Sequence, residues 1–424
     1  MAHGVQSRDH GHCSRPRPIR SLGPMLNQDE VRPSARIVAL DVIRGIAILG
    51  TLASNIWIFA ATSGSAESVF MEALFGAPGQ SLAGEVAAGG GVGAIIHAVL
   101  HLITDGKFLG LLTIMFGIGL EIQRQSFQRR GKKWPGRYYR RAALLAAEGL
   151  INYTFVFEFD VLMGYGLTAL AVAPILARSE RVQKLLMWSA LVAHVSIIVL
   201  IDVAFAFAER SAPSDRGQPE VDIDAKFYDS TASYWEMVRQ RVTSFAEGRT
   251  EIPILFVMGL AMFLIGARLY RAGLFDPAQE KLRKAVMAFG LGVGIPLDWG
   301  LRLWATGSAA MTTRYVTSAV VAFGLLALIA EFYARRGGTL GGIGLALANV
   351  GKTALSCYIL QNLLASIVFY DFGLGLGRMI AGQYETFWVI AIYFAISGVL
   401  LAFSALWLRR FERGPVELVM HKLY

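Results

Sequence analysis

The strongest constraint on this chain is a series of apolar stretches, each close to the length that crosses a bilayer. A spanning helix needs about 20 mostly apolar residues. Ten stretches approach that length, at 37–61, 92–121, 141–158, 161–177, 184–208, 252–272, 281–301, 311–334, 350–370 and 387–408. Because lipid offers the backbone no hydrogen-bond partner, such segments must be helical. We therefore predict an all-α, polytopic membrane helix bundle of about ten transmembrane helices.

The charges between these stretches alternate along the chain. Residues 62–91 contain Glu67, Glu72 and Glu85 but neither lysine nor arginine, whereas residues 122–141 contain eight basic residues and no acid. Short cytoplasmic loops are enriched in Lys and Arg, so we predict that both termini are cytoplasmic. The formal charge of +9 then reflects topology, and its expected contact is anionic membrane lipid. No basic folded domain is left for nucleic acid.

Two segments outside the spans carry separate predictions. Residues 1–35 are polar and lack an apolar signal-peptide core, so they are interpreted as a disordered basic tail, with Met25 as the predicted true start. Residues 36–424 form the predicted single membrane domain. The extracytoplasmic segment 209–251 is expected to place a short amphipathic helix at the membrane interface. The aromatic residues behind that expectation are Phe227, Tyr228, Tyr234 and Trp235.

The first span carries costly polar groups. Asp41 and Arg44 are three residues apart and share one helix face, and Asn55 follows Arg44 by about three turns. One interpretation is a structural ion pair that orients the helix end. The other is that Arg44 binds an anionic group at the cytoplasmic mouth while Asp41 fixes its orientation.

A stripe of three polar residues marks the second segment. His97, His101 and Asp105 are spaced by four residues and therefore lie on one helix face. Two histidines at this spacing can bind a metal, but no third ligand beyond Asp105 is evident and no metal site is predicted. A general base oriented by the carboxylate is a second interpretation. Interfacial histidines without chemistry are a third.

The same segment is too long for one straight crossing, and we predict a break at Asp105-Gly106. Asp105 would then cap the free N–H groups of the following helix. Lys107 is unfavourable at a helix N-terminus, so it must pair with an acid or contact an anion.

Other spans hold weaker candidates. Glu148 and Asn152 share a face of the third span. Asp298 and Arg302 have the spacing of a salt bridge at the outer end of the seventh. The ninth span is lined by Asn349, Lys352, Gln361 and Asn362.

Several stretches in this order resemble the YeiB-like bacterial membrane proteins, a family catalogued as a domain of unknown function. They are "RIVALDVIRGIAILGTLASNI", "DGKFLGLLTIMFGIGLEIQRQ", "YYRRAALLAAEGL", "FDVLMGYGLTAL", "NVGKTALSCYILQNLL" and "RRFERGPVELV". The resemblance extends from residue 36 to the end. One departure is Phe159-Asp160-Val161, where the family usually has Gly-Asp-Ile. Asp160 is retained and is assigned to substrate binding.

That family is similar to transmembrane acyltransferases, which transfer an acyl group from cytoplasmic acyl-CoA to an acceptor across the membrane. The resemblance implies a multi-pass protein of the bacterial cytoplasmic (inner) membrane. Its co-substrate would be acyl-CoA, with no permanently bound cofactor. The acceptor would be a glycan, a lipid or a small molecule.

The resemblance also implies roles for individual residues. His97 or His101 would be the catalytic base, because the family's related enzymes take their histidine from just before the second span. Asp105 would orient that base. The residues that would contact the donor or the substrate are Arg44, Asn55 and Lys107. Asp41 belongs to the same substrate-binding set because it would support Arg44.

Two further functions remain open from the sequence. The same polar residues would line the route of a transporter or exporter for a small anionic solute. A non-catalytic membrane partner or assembly factor is the third hypothesis. The sequence leaves the oligomeric state open, including a homo-oligomer.

Overall fold

The computed structural model describes residues 37–60, 82–87, 91–211, 232–305, 309–382 and 384–423. The predictions made for residues 1–35, including Met25 as the start, lie outside these ranges. So do Phe227 and Tyr228.

All regular structure in these ranges is helical, which confirms the predicted fold class. The first helices are α1 (Val38–Ala60), α2 (Leu82–Ala87), α3 (Gly91–Thr104), α4 (Lys107–Arg129), α5 (Tyr138–Phe155), α6 (Leu162–Ile175), α7 (Glu180–Ser211) and α8 (Tyr234–Thr243). They are followed by α9 (Glu251–Arg271), α10 (Glu280–Met287), α11 (Gly294–Trp304), α12 (Ser318–Arg335), α13 (Gly342–Lys352), α14 (Ala354–Phe369), α15 (Leu376–Ile380), α16 (Glu385–Trp407) and α17 (Pro415–Leu423).

Two π-helical segments interrupt this series. Ala288–Val293 joins α10 to α11. Thr313–Thr317, preceded by the single turn Ala310–Thr312, leads into α12. Such segments are rare and occur frequently at functional sites.

Each of the ten predicted stretches contains a helix. Within the described residues, 7 helices are long and apolar enough to cross a membrane, or up to 8 when the bent pair α13–α14 counts as one span. The predicted fourth span corresponds to α6, an apolar helix of only 14 residues. The predicted third corresponds to α5. The helices are therefore in the predicted places, while length and apolarity alone support fewer full crossings than ten.

The core is built around α1, which packs against α4, α13 and α14. Lipid tails are as apolar as leucine, so helices in a membrane associate mainly through close packing at small residues. Gly45 and Gly351 provide this contact: a Cβ on Gly45 would clash with the carbonyl of Leu347, and one on Gly351 with the carbonyl of Asp41. Glycine at both positions lets the α1 and α13 backbones touch.

The chain bends by 87° between α13 and α14, and a carboxylate from the C-terminal helix stabilises the bend. Glu417 of α17 accepts hydrogen bonds from the backbone N–H groups of Leu355 (2.8 Å) and Ser356 (3.3 Å), and from the Ser356 hydroxyl. A carboxylate at a helix N-terminus satisfies free donors and interacts favourably with the helix dipole. The stretches "NVGKTALSCYILQNLL" and "RRFERGPVELV", which both contributed to the family resemblance, therefore contact each other at this bend.

We expect Gly351→Ala to destabilise the bundle, because the added methyl must push α1 and α13 apart. Overpacking of this kind costs about 1–3 kcal/mol or more. Thermal unfolding of the purified protein in detergent should show a lower Tm. Gly398→Ala in α16 is the matched control, since a Cβ there meets no atom within 4 Å in the described structure; a Tm for Gly351→Ala equal to that of this control would contradict the packing.

Candidate functional site

A polar cluster begins at the interruption between α3 and α4. Asp105 and Gly106 separate these helices, which confirms the predicted break. Gly106 has φ +72°, a left-handed conformation that side chains other than glycine rarely adopt. A Cβ here would also clash with the carbonyl of Arg314 and crowd Ser318. Glycine therefore allows the start of α12 to approach the break closely.

The Asp105 carboxylate binds two arginines. Its Oδ2 lies 2.7 Å from Nη1 of Arg302, and its Oδ1 lies 2.9 Å from Nη1 of Arg314. The expectation that Asp105 caps α4 is wrong: Gly106 is the N-cap residue of α4, and no side chain caps that helix. Two charged guanidinium groups from other helices are stronger donors than the backbone amides and take the carboxylate instead.

Lys107 pairs with an acid, as one of the two sequence interpretations predicted. Its Nζ lies 2.6 Å from Oδ2 of Asp298, and the two side chains are 3% and 0% exposed. Lys107 also donates to the backbone carbonyl of Asp105 (3.3 Å). The assignment of Lys107 to a substrate anion stays a prediction, and such an anion would have to compete with Asp298.

Arg302 joins the two carboxylates. Its Nε lies 3.3 and 3.2 Å from the two oxygens of Asp298, which confirms the predicted salt bridge within α11. Its Nη2 donates to the Ser318 hydroxyl (3.1 Å), and Thr317 donates to Asp298 (2.6 Å). The cluster therefore ties α3, α4, α11 and α12 together inside the membrane, where a single charge without a partner would be expensive.

The long helix α7 holds the second π-helical segment in place. The Asp202 carboxylate accepts from the backbone N–H groups of Met311 (3.1 Å) and Thr312 (2.8 Å). The His194 imidazole contacts the carbonyl of Tyr315 (3.1 Å). These contacts fix the backbone on both sides of the arginine that binds Asp105. Nothing in the sequence alone linked α7 to this site.

The predicted histidine stripe lies at the edge of the cluster. Nε2 of His101 is 3.1 Å from Nη1 of Arg302 and 3.7 Å from Oδ2 of Asp105. The His101 side chain is 42% exposed. His97 lies further from the charges, with its ring packed edge-on against Trp57 at 4.5 Å between centroids. The geometry therefore favours His101 over His97 for any chemistry that uses Asp105.

The polar residues of the first span lie elsewhere. Arg44 is 3.7 Å from Asp41, so the predicted pair forms, and its guanidinium is close to Gly119 in the middle of α4. Gly119 is about 18 Å along the helix from Lys107. Arg44 and Lys107 therefore do not meet in one contact. Asn55 is half-buried in α1, and the substrate-binding role of these residues stays a prediction.

Asp160 belongs to a third polar region, between α5 and α6. Its carboxylate accepts from Nδ2 of Asn152 (2.8 Å) and from the Met163 N–H (3.2 Å). Arg249 donates to the backbone carbonyls of Asp160 (2.9 Å) and Glu158 (3.2 Å). Burial raises the pKa of the Asp160 carboxyl to about 6, against the opposing effect of Arg249 and of these hydrogen bonds.

The same region anchors α8, in the segment predicted to be extracytoplasmic. Arg241 of α8 lies 2.6 Å from Glu158, and Tyr370 donates to the same carboxylate (3.0 Å). Trp235 of α8 is exposed, as an interfacial helix requires. No sequence pattern pointed to Arg241 or Arg249, because their partners are about 90 residues away in the chain.

One cleft lies beside the basic loop that was predicted to be cytoplasmic. It encloses 360 Å³ and is lined by Arg124, Gln128, Trp134, Leu176, Ala177, Arg178, Glu180, Gln183 and Arg271. Arg124 is paired with Glu121 (2.7 Å) and Arg271 with Glu180 (2.8 Å). Among the described residues, no group of three or more His, Cys, Asp or Glu side chains is placed to hold a metal ion.

Comparison with known proteins agrees with this architecture. Residues 269–424, which contain Asp298, Arg302 and Glu417, match the family model described as "Protein of unknown function (DUF418)". No solved structure matches the chain significantly.

Two curated relatives match along nearly the whole chain. "Uncharacterized protein YeiB" of Escherichia coli (strain K12) is 28% identical over 409 residues, which is 92% of this chain and 96% of YeiB. "Uncharacterized protein YxaH" of Bacillus subtilis (strain 168) is 25% identical over 423 residues, which is 94% of this chain and 95% of YxaH. The fold and the buried ion pairs define a polytopic helical membrane protein. The chain is thus similar to YeiB and YxaH along nearly its whole length, and residues 269–424 resemble the DUF418 region.

We expect Lys107→Met to destabilise the protein strongly, because it leaves the Asp298 carboxylate with one cation fewer in a buried site. Removing one partner of a buried ion pair costs about 3–5 kcal/mol. Tm and monodispersity in size-exclusion chromatography should both fall. Arg239→Met is the matched control, because Arg239 pairs with Glu236 at 2.7 Å on the exposed surface and its loss should leave Tm unchanged. Equal Tm values for the two variants would contradict a buried Lys107–Asp298 pair.

Proposed function

We propose that this protein is an acyltransferase of the bacterial cytoplasmic membrane, which passes an acyl group from cytoplasmic acyl-CoA to an extracytoplasmic glycan, lipid or small molecule. The observation that carries the proposal is the position of His101. Its side chain is partly exposed at the surface of the helix bundle, and it contacts a buried cluster of fixed charges through Arg302 and Asp105. Acyl transfer needs a base beside a preorganised cation, and this arrangement supplies both.

The protonation state of His101 follows from its partner. A guanidinium can only donate, so Nε2 of His101 accepts from Arg302 and the proton of the neutral ring is on Nδ1. A neutral imidazole with Nε2 unprotonated is the form that removes a proton. When Nε2 takes up a proton, the Asp105 oxygen 3.7 Å away can stabilise the imidazolium, as a carboxylate does beside other catalytic histidines.

The proposed reaction balances with these groups. His101 takes the proton of the acceptor O–H or N–H while that atom attacks the thioester carbonyl. The proton on Nε2 displaces the Arg302 hydrogen bond. One N–H of Arg302 Nη1 can then face the developing oxyanion while the other still donates to Asp105. The carbon–sulfur bond then breaks, and the imidazolium returns its proton to the CoA thiolate.

The donor would enter from the side of Arg44. This guanidinium lies at the cytoplasmic end of α1 and is held by Asp41, so it is placed for the anionic part of an acyl-CoA. Because the His101 cluster lies at the start of α4, about 18 Å along the helix from Gly119 and Arg44, the donor must be extended along α1 and α4. Asn55 of α1 lies on this path in our proposal.

Activity can be tested with the purified protein in nanodiscs and acetyl-CoA, by following release of the CoA thiol. We expect His101→Ala to lower the rate by about 10²–10⁴-fold, the contribution typical of a general base. His97→Ala is the matched control and should stay within about tenfold of the wild type, because His97 packs on Trp57 and lies away from Asp105. Full activity of a folded His101→Ala variant would overturn the assignment.

A transporter of a small anionic solute is the second candidate, and the bend between α13 and α14 favours it. Transporters bind substrates at discontinuous helices whose half-helix N-termini point at anionic groups. Here the N-terminus of α14 already binds the Glu417 carboxylate. Uptake of an anion into proteoliposomes without any CoA release would favour transport over acyl transfer.

A further inference from the structure

A second buried polar site lies between α5 and α14, away from His101. It starts at Glu148 of α5. Both carboxylate oxygens of Glu148 are shielded from solvent, and within the described part of the chain neither has a hydrogen-bond partner. A carboxyl group in such a place must hold a proton, a cation or a ligand, because a bare charge in the membrane is too costly.

Asn152 extends the site by one helical turn. It shares a face of α5 with Glu148. Its Nδ2 donates to the Asp160 carboxylate (2.8 Å), which fixes the orientation of the amide. Its Oδ1 is then left without a donor among the residues that the structure describes, although Asn152 is only 2% exposed.

Asn362 of α14 faces the same region. One turn before it, the Tyr358 hydroxyl accepts from the Val161 N–H (3.4 Å), and one turn after it Ser366 donates to the Val156 carbonyl (3.0 Å). These two contacts place the face of α14 that carries Asn362 against the connection between α5 and α6. Asn362 is 0% exposed, and in the described structure neither of its amide atoms makes a hydrogen bond of normal geometry.

The unfilled groups are mostly acceptors. By normal hydrogen-bond geometry, four oxygen atoms and one N–H donor group of Glu148, Asn152 and Asn362 are unfilled in the described residues. The Asn362 amide also interacts with the Tyr358 hydroxyl, so the acceptors of Glu148 and Asn152 are the ones most in need of an occupant. The neighbouring arginines are engaged elsewhere: Arg241 binds the Glu158 carboxylate, and Arg249 binds backbone carbonyls. An occupant of this site must therefore bring positive charge.

The donor set also limits the kind of cation. All four unfilled acceptors are oxygens, which suit hard cations rather than metals that prefer sulfur or nitrogen. The Asp160 carboxylate, which accepts from Asn152, already has the charge of Arg249 beside it. Glu148 is therefore the carboxylate left to balance, and a single positive charge does so. A divalent ion would leave charge uncompensated in the membrane.

We propose that Glu148, Asn152 and Asn362 form a membrane-embedded binding site for a small monovalent metal cation, Na⁺ or K⁺. The site is separate from the His101 cluster and does not depend on acyl transfer. It couples α5 to α14, the helix that follows the 87° bend, so occupancy stabilises the folded arrangement of these two helices.

The test is thermal unfolding of the purified full chain at constant pH and ionic strength, in NaCl, KCl or N-methylglucamine chloride. A bound cation stabilises only the folded state, so we expect Tm to rise by about 2 °C or more in NaCl or KCl relative to the organic cation. The salt that produces the larger shift identifies the preferred ion. Equal Tm values in all three salts would overturn the proposal and leave a proton or water as the occupant.

Variants assign the effect to this site. Glu148→Gln should abolish the salt-specific shift, whereas Glu412→Gln, which changes an exposed acid, should keep it. Asn362→Ala retains the charge and should raise the half-saturating salt concentration about tenfold, the effect of losing about 1.4 kcal/mol of binding. If Glu148→Gln does not fold, the Asn362→Ala variant tests whether the cation binds at this site. A shift that persists in these site variants would place the cation elsewhere and contradict the proposal.

Discussion

The structure depends on one guanidinium group. Arg302 lies between Asp105 and Asp298 and binds both carboxylates, each of which binds a second cation. In lipid these charges are stable only together, because removing any one leaves its partner without compensation in a medium of low dielectric constant. This requirement holds α3, α4, α11 and α12 at one depth in the membrane. Packing around α1 then completes the bundle.

The irregular backbone follows from the same requirement. Gly106 turns the chain so that Asp105 can face Arg302, and a π-helical segment presents Arg314 from the other side. A third interruption, at the bend between α13 and α14, is capped by Glu417. Non-helical backbone is tolerated in a membrane only where protein groups or water satisfy it. Each of these three interruptions is satisfied by a charged side chain, which is why these three positions coincide with polar sites.

The sequence predicted the parts of this arrangement that local chemistry determines. Apolar length located the helices, the spacing of Asp298 and Arg302 predicted their salt bridge, and the cost of a cation at a helix N-terminus predicted that Lys107 needs a partner. Long-range contacts could not be predicted in this way. Asp105 and Arg314 are 209 residues apart. Asp105 binds this arginine instead of capping α4 as predicted.

Other parts of the candidate site depended on helix arrangement that no single helix encodes. His97 and His101 lie on one helix face, as predicted. Only the tertiary structure shows that His101 contacts Arg302 while His97 packs against Trp57. Arg44 was grouped with Lys107 because both are costly cations in spans. The antiparallel packing of α1 on α4 instead places Lys107 at the start of α4 and Arg44 beside Gly119, in the middle of that helix. Glu148 and Asn362 looked like weak candidates until the structure showed both buried without partners in the described residues.

The central claim is that Asp105 and Arg302 form a buried charge pair on which the fold relies. A double-mutant cycle tests it directly: the free energy of unfolding in mixed micelles is measured for the wild type, Asp105→Asn, Arg302→Gln and the double variant. Buried partners in contact should show an interaction energy of about 1–3 kcal/mol, so that the double variant is less destabilised than the sum of the single changes. Strict additivity of the two substitutions would contradict the account.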